Sequence, residues 1–128
     1  MREVQKNIDL PEPKAPYSYG VWAGQTLYLG GVCGITDDLL KNPDIKQETH
    51  NAMHEAKMIL DGANLTFDDI INARVYITDL SKFAEFNEVY KSYFTAPYPS
   101  RATVEVSGMI GGANIEIVFI AYSPFKEK

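Results

Sequence analysis

Two histidines, one cysteine, a glycine cluster and one well-flanked arginine are the residues of this chain with chemistry to offer. His50 and His54 stand four apart, the spacing that lets two imidazoles on a helix share a metal. Lys57 and Asp61 continue that stripe opposite Met53, Ala56 and Leu60, and no third ligand accompanies it, so a solvated helix face is expected and no metal. Cys33 could act as a nucleophile, but the spacing brings neither histidine to it, and a thiol beside an apolar strand is expected to be inert packing. The run Gly108-Met109-Ile110-Gly111-Gly112 lacks the Lys-Ser/Thr ending of a phosphate loop and precedes a strand where that loop needs a helix, so it reads as a turn. No Ser-His-Asp arrangement can be argued from spacing. Arg101 differs from these. It follows the rigid turn Tyr98-Pro99-Ser100 at the start of a strand, where a guanidinium can be aimed into a cleft to bind a planar carboxylate through two parallel hydrogen bonds. The competing role is a surface ion pair with any of seventeen carboxylates, and on spacing alone that role is favoured.

The elements that must position these residues can be read from periodicity. The stretch up to Pro16 holds Pro11, Pro13 and Pro16 and reads as an extended arm. Tyr17 to Trp22 and Thr26 to Val32 form a hairpin around Ala23-Gly24-Gln25, with Gly30-Gly31 marking a turn or a close backbone approach. From Lys46 to Ala63, the residues Thr49, Ala52, Met53, Ala56, Ile59, Leu60 and Ala63 follow helical spacing, with Asp44 and Gln47 as the capping start and Gly62 near the stop. Asp69 to Thr78 alternates with period two, Ile71, Ala73, Val75 and Ile77 on one face. Ser81 is placed to cap a second helix carrying Phe83, Phe86, Tyr90, Tyr93 and Phe94 and ending before Pro97. Strands at Ala102 to Val106 and Asn114 to Tyr122 follow, joined by a turn over Ser107 to Ala113. The order ββαβαββ predicts an α+β fold in one domain, residues 1–128, with two helices packed on one face of a mixed sheet. Ile70, Tyr76, Val118 and Ile120 are then expected on the other face, which is too apolar for water and predicts an oligomer.

Composition narrows the functional classes. The 128 residues suit one ordinary core, and 45% hydrophobic with 23% charged residues is a globular mixture. Seventeen acidic against twelve basic residues give a net charge of -5, unsuited to a general nucleic-acid binder. One cysteine makes no internal disulfide. No apolar run reads as a signal peptide or membrane span, so a cytoplasmic location is expected, with a mitochondrial address open to a different isoform.

Four ordered motifs then carry a family resemblance over nearly the whole chain. Ala15-Pro16-Tyr17-Ser18 resembles G-P-Y-S, Leu27-Tyr28-Leu29-Gly30-Gly31 resembles L-(F/Y)-(V/L)-S-G, and Phe83 to Tyr90 resembles F-x-x-x-N-x-x-Y. Pro99-Ser100-Arg101-Ala102-Thr103-Val104-Glu105-Val106 and the closing Ile115-Glu116-Ile117 complete a match to the RidA family, also called YjgF/YER057c/UK114 or L-PSP. The resemblance implies a chorismate-mutase-like fold, a homotrimer whose sheets form a central barrel, and ligand clefts between subunits. It implies hydrolysis of enamines and imines such as 2-aminoacrylate and 2-iminopropanoate to 2-keto acids and ammonia, without a cofactor. Arg101 would hold the substrate carboxylate, with Tyr17, Gly31, Asn87 and Thr103 lining the cleft. In many members a glutamate two residues after the matched Ile-Glu-Ile glutamate orients the attacking water, and the resemblance puts Val118 there. Gly30 stands for a family serine, Tyr19 for a glutamine and Ile110 for a proline. The alternative expectation is therefore a trimeric binder of small 2-imino or 2-keto acids without turnover. An endoribonuclease or translation inhibitor, also carried by the family names, is disfavoured by the acidic balance and the lack of a basic run.

Overall fold

The computed structural model describes residues 1–126, and in it one six-stranded mixed sheet carries the main helices on one face. The sheet order is β1 (Glu3–Val4), β2 (Gly20–Ala23), β3 (Thr26–Leu29), β6 (Ile115–Tyr122), β4 (Ile70–Ile77), β5 (Ser100–Glu105). Only β4 and β5 pair in parallel, because α3 (Phe83–Lys91) carries the chain back between them in a β-α-β crossover. Two helices precede β4: α1 (Asp37–Lys41) and α2 (Ile45–Gly62). No helix among the described residues is long and apolar enough to cross a membrane.

Local chemistry accounts for most of these elements. The β2-β3 hairpin closes through two residues, Gly24-Gln25, with Ala23 paired to Thr26. Gly24 takes φ 60°, the left-handed region that such tight turns demand. Asp44 caps α2 by accepting from the Gln47 N–H, as its spacing predicts. The apolar stripe of α2 is buried from Thr49 through Leu60 and packs with Phe86 and Tyr90 of α3 against Ala73, Val75, Ile77, Ile115, Ile117 and Phe119.

The structure corrects the sequence expectations in several places. The extended arm includes β1, whose Glu3 and Val4 pair with Trp22 and Val21. The hairpin strands are shorter than expected: β2 begins at Gly20, and β3 ends at Leu29, ahead of the glycine pair. Helix α1, capped by Thr36, was not expected from periodicity. Asp79 rather than Ser81 supplies the cap before α3: its carboxylate accepts from the Ser81 N–H and starts a 3-10 turn that runs into the helix. Helix α3 ends at Lys91, so Tyr93 and Phe94 pack on the core from beyond it.

The clearest correction is in β4. A bulge between Ile70 and Asn72 sets two residues against one on β6, which shifts the alternation by one position. Ile70 therefore turns into the core at 5% exposure, and Ile71 turns out at 51%. The sheet face away from the helices holds Tyr28, Tyr76, Val104, Val118, Ile120 and Tyr122, all half-buried or exposed.

One buried charge organises the contact between α2 and β6. Glu48 is 1% exposed, and its carboxylate accepts from the backbone N–H of Asn114 (2.6 Å) and Ile115 (3.2 Å) and from the Asn114 side-chain amide (2.8 Å). Beside it the segment after β3 crosses α2 at Gly34. A Cβ there would lie 1.9 Å from the Glu48 carbonyl oxygen, so only glycine allows the approach.

Candidate functional site

Arg101 is aimed by the start of β5. Ser100 donates its hydroxyl to the Ile71 carbonyl at 3.1 Å and accepts from the Asn72 amide at 3.0 Å, so the residue before Arg101 is pinned to β4. The guanidinium lies 4.8 Å from the Tyr90 ring centroid and 5.4 Å from that of Phe83, and its Nη1 donates to Asn87 Oδ1 at 2.8 Å. These three α3 residues fix the side chain on the helix face of the sheet. Among the described residues no carboxylate pairs with Arg101, so the surface ion pair that spacing favours does not form. The guanidinium instead borders an open cleft of about 470 Å³ lined by Asn87, Tyr90, Lys91, Tyr98, Pro99 and Arg101. Tyr90 is buried beneath it, and burial pushes its hydroxyl pKa up. Thr103 lies two residues along β5, on the same face as Arg101 and in register with Val75.

Tyr17 and Gly31 belong to a second cluster. The chain leaves β3 through Gly30, whose N–H bonds to the Tyr19 carbonyl at 2.8 Å, and re-engages the sheet where Val32 bridges Ile117. Tyr17 stands beside this crossing in an edge-on contact with Tyr19, ring centroids 5.9 Å apart. Glu116 fills the space that a side chain at Gly31 would take: a Cβ there would lie 2.6 Å from Glu116 Oε2. The other carboxylate oxygen, Oε1, accepts from the Cys33 thiol at 3.2 Å. Burial, and then the Glu116 carboxylate, pushes the thiol up to about 12, so Cys33 stays protonated and is no thiolate nucleophile.

Glu55 of α2 completes this cluster. Burial first, and the charge of Glu116 second, push its carboxyl up from 4.5 to about 7. The sign of the resulting pH effect is fixed: a carboxyl that holds its proton more tightly in the folded state favours folding below its unfolded pKa, and loses that advantage as pH rises through about 7. A Glu55→Gln variant is therefore expected to melt higher than wild type at pH 8 and no higher at pH 4.5. Equal differences at the two pH values would contradict the assignment.

Within one chain the two clusters do not meet. Arg101 shares its row with Ala73 and Phe119, whereas Glu116 shares its row with Tyr76 and Val104. The separation is about 10 Å along the strands and about 10 Å across two of them, on opposite faces of the sheet. Asn87 and Thr103 accompany Arg101; Tyr17 and Gly31 accompany Glu116. Val118 lies one repeat beyond Glu116 on the same face, opposite Arg74. His50 is engaged elsewhere, its Nδ1 2.8 Å from the Tyr93 hydroxyl. Sequence reasoning passed over Glu116, Tyr90 and Tyr98 as site residues. The available signals were the glycine pair, which announces a close approach, and the helical spacing of Tyr90 from Asn87.

A family model described as Endoribonuclease L-PSP matches residues 7–123. The chain belongs to the RidA/YjgF family. Its sequence is similar to a RutC family protein of Pyrococcus horikoshii, 38% identical over 95% of this chain and 98% of that protein. A 2-iminobutanoate/2-iminopropanoate deaminase of Dermatophagoides farinae is 31% identical over 84% of this chain and 85% of its own. Among solved structures, RidA from the Antarctic bacterium Psychrobacter has a TM-score of 0.84 at 30% identity, covering 95% of this chain and 100% of that one. E. coli TdcF with bound serine has a TM-score of 0.83 at 31% identity, covering 94% and 98%. The RidA/YjgF assignment agrees with the α+β fold and with the resemblance read from the Arg101 motif, and the family includes proteins named as imine deaminases.

Proposed function

We propose that this RidA-family protein hydrolyses small 2-imino acids and their enamine tautomers to 2-keto acids and ammonia. The observation that carries the reading is Arg101, held by Asn87, Tyr90 and Phe83 at the edge of an open cleft and paired with no carboxylate among the described residues. Its fork receives the substrate carboxylate and holds the C=N carbon in place. Glu116 accepts a proton from water as the oxygen adds to that carbon. Glu116 passes that proton to nitrogen to give the carbinolamine, then carries the carbinolamine's hydroxyl proton to nitrogen as the C–N bond breaks, so that ammonia leaves and the new C=O completes the 2-keto acid. The imine is intrinsically labile, so orientation and one base suffice. Glu116 takes the role that the resemblance implies for a glutamate at position 118, and its presence at Gly31 favours turnover over binding alone.

The reading requires a second copy of the chain, because Arg101 and Glu116 are too far apart in one. The apolar outer face of the sheet supports such an assembly, and a ring of three copies would place each Arg101 cleft against a neighbour's Glu116. Two measurements test the reading. With 2-aminoacrylate generated in situ, the protein is expected to accelerate pyruvate release over the uncatalysed rate; equal rates would reject deamination. Mixing inactive Arg101→Ala and Glu116→Gln chains after denaturation and renaturation is expected to restore about a quarter of wild-type activity, since random pairing leaves that share of two-copy sites intact. No recovery would place both residues in one chain's site.

A further inference from the structure

The contacts around Glu116 extend beyond what the proposed reaction needs of it. Helix α2 presents Glu48, Asn51 and Glu55 along one face at helical spacing. The first of these binds the start of β6, and the second donates its amide to the Gly34 carbonyl at 3.0 Å. Glu55, one turn further, is half-buried and has no hydrogen-bond partner among the described residues. The two oxygens of Glu116 are in different situations. Oε1 is taken by the Cys33 thiol, and Oε2 looks onto the backbone of Gly31, where no side chain covers it.

We propose that Cys33 is a positioning residue for the Glu116 carboxylate: the thiol fixes Oε1, leaving Oε2 as the single oxygen that meets water. The proposal rests on the role given to Glu116 above. Its chemistry is consistent. A thiol donates only while protonated, and burial together with Glu116 keeps Cys33 so. The charged groups that act on Cys33 are Glu116 of β6 and Glu55 and Glu48 of α2, and each of them raises its pKa. None of them is a cation, so nothing in this set favours the thiolate.

The variants separate orientation from packing. Cys33→Ala is expected to lower kcat about tenfold with KM unchanged, and Cys33→Ser, which keeps a donor, to recover most of that loss. A Cys33→Ala enzyme with wild-type kcat, or a serine variant as impaired as the alanine one, would each overturn the proposal. An activity-independent measurement accompanies these: Cys33 is the only cysteine, so the pH dependence of its alkylation reports its ionisation directly. In Glu116→Gln and in Glu55→Gln, alkylation is expected to begin at lower pH than in wild type, and an unshifted profile in both would refute the coupling. If wild-type protein fails to accelerate pyruvate release, the deaminase reading falls, while the alkylation profiles still decide whether the three groups act together.

Discussion

Replacing Arg101 by alanine is expected to lower kcat/KM for 2-iminopropanoate by about 10²- to 10³-fold, the usual cost of removing a donor aimed at reacting charge in a sheltered site. The chain has a net charge of -5, so the protein as a whole does not attract an anionic substrate and the attraction must be local. Lys91 also lines the cleft, but only Arg101 is braced by an amide at 2.8 Å and by two aromatic rings. Arg101→Lys is expected to lie close to alanine, because an ammonium keeps the charge and loses the planar fork. The coupled pyruvate assay decides this, with the far-ultraviolet spectrum as a folding control. Rates for either variant within about twofold of wild type would remove Arg101 from substrate recognition.

Glu48→Ala is expected to give the largest loss of stability, about 3 to 5 kcal/mol, because it strands one buried and one part-buried backbone N–H group and an amide that now share one carboxylate. Glu48→Gln should recover part of that, since its single carbonyl oxygen can still accept. Denaturant midpoints at a fixed chain concentration check both, because assembly makes apparent stability depend on concentration. A midpoint unchanged in the alanine variant would mean that β6 begins equally well without α2.

How far the sequence disclosed this molecule depended on the length over which each signal repeats. Helix α2 offers eighteen residues of steady spacing and a capping aspartate, and its apolar stripe from Thr49 to Leu60 was legible, whereas buried Ile45 and Glu48 were not: a glutamate carries no apolar signal. Helix α1 has five residues, too few for a period to show. Asp79 and Ser81 are both able to cap, and only the fold reveals that one accepts from the backbone of the other. The bulge in β4 left no mark because Ile70 and Ile71 are the same residue type, so the alternation reads acceptably in either phase. At the site, Arg101 was legible through its flanking proline and strand. Glu116 was not: strand alternation puts residues 116 and 118 on one face, and only the crossing of Gly31 to Cys33 over β6, closed by the Val32–Ile117 bridge, selects between them.

The bulge in β4 also bears on how chains of this fold can differ in length. Ile71 is the surplus residue of the strand: without it, Ile70 and Asn72 would follow one another against Ala121 and Ile120 in unbroken pleat, each still facing its present side. Pairing therefore does not need Ile71, but its carbonyl is the one that holds the Ser100 hydroxyl, immediately ahead of Arg101. A homologue shorter by this residue could keep the sheet and lose the anchor. A one-residue gap at this position of an alignment would mark relatives in which the arginine is aimed by some other means.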